Sequence, residues 1–142
     1  MKERNIIKAL YEYAARKGHL YFSSNTTAIP GVGEADFLSI NKSMFITEYE
    51  IKTSRSDFKA DFRNKSNKHM RMDKGLIKRT IYCYKNGWQT EMDENGNSIH
   101  KEINVVSKPF VNYFYFACPE DLIKPEEVPE YAGLIYVKWH EL

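Results

Sequence analysis

Apolar residues recur at helical spacing near the start of the chain, at Ile6, Ile7, Leu10, Tyr13 and Ala14, and Gly18 follows Lys17 as a stop signal. This predicts a helix over residues 3–17. The period then shortens. Leu20-Tyr21-Phe22 opens a first strand, and Ile29-Pro30-Gly31-Val32-Gly33 supplies turn residues. A second strand carries Asp36 into Phe37-Leu38-Ser39-Ile40, Asn41-Lys42-Ser43 marks a hairpin turn, and Met44 to Lys52 forms a third strand. An antiparallel meander is therefore expected. Ser54-x-x-Asp57 suits a helix N-terminus, and Phe58 and Phe62, four apart, should dock on the sheet while Arg55, Lys59 and Arg63 face solvent.

Residues 64–69, Asn-Lys-Ser-Asn-Lys-His, have the composition of a loop. Residues 76–106 alternate around two turn signals, Lys85-Asn86-Gly87 and Asp93-Glu94-Asn95-Gly96-Asn97, and read as a β-hairpin excursion in which Trp88 is expected to be buried, with stacking on a base as the alternative. This excursion is either a substrate-gripping arm or a decoration of the sheet. Val111 to Ala117, with Tyr113-Phe114-Tyr115-Phe116, reads as a buried central strand beside the meander. Pro119-Glu120-Asp121-Leu122-Ile123 reads as a short helix, with both acids serving its first turn. Residues 132–137 form a last strand. The fold class expected is α/β of the α+β kind, a mixed sheet flanked by helices, in one domain over residues 1–142.

Composition narrows the class. Aromatics make up 14% of the 142 residues, with ten Tyr and eight Phe, and glycine and proline are sparse, which excludes a low-complexity chain. There is no apolar run long enough for a membrane span, and the N-terminus lacks a signal-peptide core, so a cytoplasmic protein is expected. Cys83 and Cys118 lie far apart without metal-ligand spacing and read as reduced core residues. No phosphate-binding glycine loop, zinc-type histidine spacing or nucleophile elbow is present.

The net charge of +2 hides a segregation. Residues 41–85 hold 12 Lys and Arg against 5 Asp and Glu, whereas residues 86–142 hold 4 against 10. A basic flank of this kind fits a phosphate backbone. Arg55, Lys59, Arg63, Lys68 and His69 are the candidate DNA contacts; for His69 the plain alternative is an exposed loop residue. DNA is the expected partner, with no membrane and with a homodimer as an option.

Chemistry concentrates where the meander carries its charges. Glu34 and Asp36 share one face of a strand, as do Glu48, Glu50 and Lys52 on the next. Paired strands would bring carboxylates and an amine together, the set needed to hold a hard cation such as Mg²⁺ or Mn²⁺ and to place water against a phosphodiester. The competing assignment is a solvated strand face, although the repulsion between Glu48 and Glu50 argues for a neutralising cation.

The pattern Asp36-x13-Glu50-x-Lys52 resembles the signature of the PD-(D/E)XK nuclease superfamily. Residues 50–62, with Tyr113 to Pro119 and Ala132-Gly133-Leu134-Ile135, are similar to a small phage and bacterial branch related to repair nucleases. The resemblance implies an αβββαβ core of the restriction-endonuclease-like type, covering residues 1–75 and 110–137. It further implies a bacterial cell or phage-infected host, and Mg²⁺ or Mn²⁺ held by Asp36, Glu50 and the Ile51 carbonyl. Lys52 would be the lysine of the motif, and Glu12 an added first-helix carboxylate of the catalytic set, for which the plain alternative is a solvent-facing glutamate. The chain lacks the proline that often precedes the aspartate. The activity implied is metal-dependent DNA hydrolysis. The alternatives are a non-catalytic nucleic-acid-binding module on the same fold, or a structural protein that makes contact through its acidic C-terminal third. Replacing Lys52 with Ala is expected to abolish cleavage with folding and binding nearly intact.

Overall fold

The structure is a computed structural model in which residues 1–27 and 33–138 are described. Along the chain run α1 (Glu3–Arg16), β1 (Tyr21–Thr26), β2 (Ala35–Ile40), β3 (Ile46–Ile51), α2 (Arg55–Asn64) and α3 (Ser66–Lys74). These are followed by β4 (Leu76–Tyr82), β5 (Tyr84–Lys85), β6 (Gln89–Thr90), β7 (His100–Val106), β8 (Tyr113–Pro119), a 3-10 turn at Pro125–Glu127, and β9 (Gly133–Val137). Two compact units result: Met1–Ser66 with the chain from Pro109 onward, and Asn67–Lys108. The turn expected at residues 29–33 lies, apart from Gly33, outside the described residues.

In the first unit, five strands form a mixed sheet in the order β1-β2-β3-β8-β9. The first three are an antiparallel meander, while β8 joins β3, and β9 joins β8, in parallel. The sheet is therefore mixed and helix-flanked, in line with the α+β class expected; the antiparallel meander is the part that the hydrophobic pattern predicted. Period-two alternation divides its faces. On one face Phe37, Tyr49, Ile51, Ala117 and Val137 pack with Ile6, Leu10 and Ala14 of α1. On the other, Phe58 and Phe62 of α2 meet Phe116 edge-on and tilted, at centroid distances of 5.1 and 5.9 Å. Burial of these rings, each worth about 2–3 kcal/mol, holds α2 to the face that bears Asp36, Glu48 and Glu50. Cys118 is fully buried there, and burial pushes its thiol up to about 11, so it is inert. On the α1 face, the Tyr115 ring lies over Gly133, where an added Cβ would stand 2.2 Å from a ring carbon; no larger residue fits.

Two expected elements differ. The strand β8 continues through Pro119, whose register partner is Val137, so residues 119–123 are not a helix. A proline at a strand end forfeits no ladder bond that the sheet needs. Glu120 and Asp121 form a turn instead, with Asp121 in the left-handed region at φ 63°. The expected loop at 64–69 is likewise interrupted, because α3 begins at Ser66. Its polar start suits helix entry, Lys, Met and Arg sustain the turns, and Gly75 at φ 65° closes it with its N–H on the Arg71 carbonyl.

In the second unit, β4 and β7 form an antiparallel ribbon from the pair Leu76–Val106 to the pair Tyr82–His100. Asn67 of α3 brackets the main chain of Lys78, donating to its carbonyl at 3.1 Å and accepting from its N–H at 2.8 Å. Arg71 donates to Ser107 Oγ at 2.9 Å. Both expected turns are present: Asn86 and Gly87 adopt positive φ, and Asp93 Oδ1 accepts from the N–H groups of Asn95 and Asn97. Trp88, expected in the interior, is 81% exposed. It directly follows the tight turn, in the two-stranded hairpin of β5 and β6.

Candidate active site

The antiparallel register that pairs Phe37 with Tyr49 sets Asp36 against Glu50, one step along. Both side chains then project on the α2 face. Asp36 Oδ2 accepts a hydrogen bond from the Ile51 N–H at 2.8 Å, which fixes its carboxyl at the open end of the strand pair. Lys52 follows directly, its N–H donating to the Ala117 carbonyl at 3.0 Å, so the β3–β8 ladder holds its backbone. Glu50 and Lys52 are only 1% and 3% exposed. The Asp36, Glu50 and Lys52 set is thus assembled at one strand end.

The helix α2 completes the site with residues that the sequence motif did not flag. Ser54 caps it by accepting from the Asp57 N–H at 3.1 Å. From there Asp57, Asp61 and Lys65 follow at i+4 intervals and share one side of the helix. Lys52 Nζ donates to Asp61 Oδ1 at 2.7 Å and to Glu50 Oε1 at 3.1 Å, with Asp57 Oδ1 at 3.9 Å. Lys65 Nζ pairs with Glu50 Oε1 and stands 3.5 Å from Asp61 Oδ1. The only hint in the sequence was this i+4 row beside the Phe58–Phe62 stripe.

These groups line a pocket of about 250 Å³ together with Glu3 from the first turn of α1 and Asn64. Its walls hold five carboxyl groups, Glu3, Asp36, Glu50, Asp57 and Asp61, against two lysines. Burial and this charge act together on the ionisation of the site. Burial, then the charge of Glu50, raises Asp36 to about 6, against the pull of the Ile51 N–H and the two lysines. Burial works to lower Lys52, but Glu50 and Asp61 outweigh it and hold the ammonium above its ordinary value. A pocket that suppresses the ionisation of one carboxyl is a pocket that a further cation would relieve.

Other expected residues stand elsewhere. Glu12 is exposed on α1 and borders a different pocket, with Tyr13, Arg16 and Ile135; Glu3 is the α1 carboxylate at the Asp36 pocket. Glu34 is exposed just before β2, whereas Glu48 is fully buried deeper along β3. Lys59 and Arg63 are exposed on α2. Arg55 is engaged: Nη1 donates to the Leu122 carbonyl and to Glu127 Oε2, both at 3.0 Å, and Nη2 pairs with Glu127 Oε1. The Arg55 guanidinium, helped by the Lys124 N–H, lowers Glu127 to about 2. Lys68 and His69 lie on α3 in the other unit, His69 being buried.

As a metal site the pocket offers hard oxygen donors. Among the described residues no group of three His, Cys, Asp or Glu side chains is arranged as a metal centre. Asp36 and Glu50 are two carboxylates, and Mg²⁺ characteristically takes one or two of these and keeps several waters. The donor set fits such an ion. Among the described residues, no helix is long and apolar enough to cross a membrane. No protein-family model matches the chain, and no curated protein or solved structure matches it.

Proposed function

We propose that the chain is a metal-dependent nuclease that hydrolyses DNA phosphodiester bonds, on a core of the restriction-endonuclease-like type, in bacterial or phage DNA repair or metabolism. The observation that carries this reading is the Asp36–Glu50 pair in a carboxylate-rich pocket, where burial and then the charge of Glu50 raise Asp36 to about 6. Two facing carboxylates beside a buried lysine form a costly arrangement unless a cation and an anionic substrate use it. The order of helix, three strands, helix and returning strand agrees with that core.

Asp36 and Glu50, with the Ile51 carbonyl, would hold Mg²⁺ or Mn²⁺, which when bound supplies a Lewis acid for the phosphate oxygens and a more acidic water. Lys52 is held as an ammonium by Glu50 and Asp61, so its part is to donate hydrogen bonds and offset negative charge rather than to accept a proton. Asp61 positions that ammonium. Lys59 and Arg63 on the exposed side of α2 would contact phosphates, contributing affinity without sequence preference.

The test is cleavage of supercoiled, linear and single-stranded DNA with Mg²⁺ or Mn²⁺, alongside Asp36→Asn and Lys52→Ala. Metal-dependent cleavage that both substitutions abolish is the expected result. Equal cleavage by wild type and variants, or none in any, defeats the proposal; retained DNA binding in the second case favours the non-catalytic module.

A further inference from the structure

We propose that the ribbon unit, residues 67–108, is a grip for single-stranded nucleic acid, with Trp88 and Tyr84 stacking on bases and Lys78, Arg79, Lys85 and Lys101 holding phosphates. Exposure is the first observation. Trp88 is 81% exposed and Tyr84 55%, and Tyr82, Met92 and Ile99 are also exposed nearby in the chain. Isolated exposed apolar residues are ordinary, but this many on one small ribbon mark a contact surface. The turn itself presents the indole, because Asn86 and Gly87 at φ 53° and 78° reverse the chain directly before Trp88.

Charge decides what the surface meets. From Leu76 to Thr90 the chain carries Lys78, Arg79 and Lys85 and no acid, and Lys101 pairs across the ribbon with Ile81. Lysine is depleted at the cores of protein–protein contacts, whereas cations interleaved with aromatic faces are the pattern of strand-binding proteins. Duplex DNA hides its base faces in the stack. Open aromatic rings are therefore of most use to an unpaired strand, whose bases can stack on them whatever their identity. Alternation within β4 puts Lys78 on the same ribbon side as Tyr82, and Arg79 on the side of Ile81 and Lys101. Tyr84, Lys85 and Trp88 follow one another along the β5–β6 hairpin, where Tyr84 pairs with Thr90 and Lys85 with Gln89. The inference deepens the nuclease reading by naming its substrate class, but it stands on the ribbon alone.

The test uses the full chain in EDTA, with fluorescent oligo-dT, oligo-U, a blunt duplex and heparin as probes. Trp88 and Tyr84 are exposed, so substituting them should leave folding unchanged, as melting temperature would verify. Trp88→Ala should weaken oligo-dT and oligo-U binding about tenfold, Trp88→Phe less, and neither should change heparin binding. The Lys78→Ala/Arg79→Ala pair should lower the slope of log affinity against log salt by about 1.4 for a single strand. The proposal is overturned if Trp88→Ala binds oligo-dT like wild type, if it loses heparin equally, or if the duplex shows the same dependence on Trp88. It is also overturned if Trp88→Ala disperses a self-associated form while oligo-dT affinity stays fixed, which would make the ribbon a protein interface. Binding in EDTA is independent of cleavage, so failure here leaves the Asp36–Glu50 site standing, and absence of cleavage leaves the grip standing.

Discussion

The Lys65 ammonium, carried by the residue that caps the C-terminus of α2, rests on the Glu50 carboxylate of β3. It occupies the negative potential that a divalent ion would share, and its side chain is 38% exposed. Lys65→Ala should therefore tighten Mn²⁺ binding, by about three- to tenfold on the scale of a partly exposed ion pair. Titration calorimetry of the two proteins at one pH checks this; weaker binding by the variant would show that Lys65 supports the ion rather than competes with it.

Asp36 gives a pH prediction of definite sign. Its folded value of about 6 exceeds the ordinary 3.8, so the folded protein holds this proton more tightly than the unfolded chain. The contribution of Asp36 to stability is therefore most favourable below about pH 4, declines as pH rises through about 6, and stays unfavourable above. Asp36→Asn keeps an acceptor for the Ile51 N–H and removes the charge. The variant should melt higher than wild type at pH 8 in EDTA, with the difference vanishing near pH 4, while its Mn²⁺ affinity falls. Thermal melts across this range would reveal the convergence.

Lys52 is more than a chemical group at the surface. Its ammonium compensates Glu50 and Asp61, both almost fully buried, so Lys52→Ala leaves two interior carboxylates with Lys65 as their remaining lysine. The cost of removing one partner from a buried pair is about 3–5 kcal/mol. This revises the expectation that folding would be nearly untouched. Lys52→Ala should lose both cleavage and stability, whereas the double variant Lys52→Met/Asp61→Leu should regain part of the stability without activity. Chemical denaturation alongside the cleavage assay separates the two effects.

Arg55 should behave unlike its neighbours on α2. Its guanidinium is committed to Glu127 and the Leu122 carbonyl, tying the start of α2 to the β8–β9 connection. Arg55→Ala should lower the melting temperature with little change in the salt dependence of DNA binding. Lys59→Ala and Arg63→Ala should each reduce the salt slope by about one on duplex DNA with folding unchanged. Binding titrations at several salt concentrations distinguish the three.

Much of the first unit was legible from local pattern. The 3.6-residue period of Ile6, Leu10 and Ala14 marked the buried stripe of α1, and the two-residue period put Glu50 and Lys52 on one strand face. A strand pairing through a short turn inherits its register from that turn, and the turn expected at Asn41-Lys42-Ser43 would pair Ile40 with Met44. The observed pairing of Ile40 with Ile46 is what sets Asp36 against Glu50; either register keeps Asp36 on the face of Glu48 and Glu50. These relations span few residues and depend on backbone geometry that the side chains themselves select. The sequence by itself thus determined the α+β class, the meander and the shared face of Asp36, Glu50 and Lys52.

Tertiary structure decided the rest. Asp61 and Lys65 reach Lys52 and Glu50 because Phe58 and Phe62 seat α2 on Phe116, a contact across more than fifty residues that no local period encodes. The choice of Glu3 over Glu12 at the pocket follows from which end of α1 lies beside the strand ends that carry Asp36 and Glu50. Parallel pairing with β9 drew Pro119 into a strand despite its helix-start signals, and Trp88 stands in solvent where burial was expected. Each outcome is settled by what packs against a residue rather than by its neighbours in the chain, because burial and long-range pairing outweigh the small free energies of local preference.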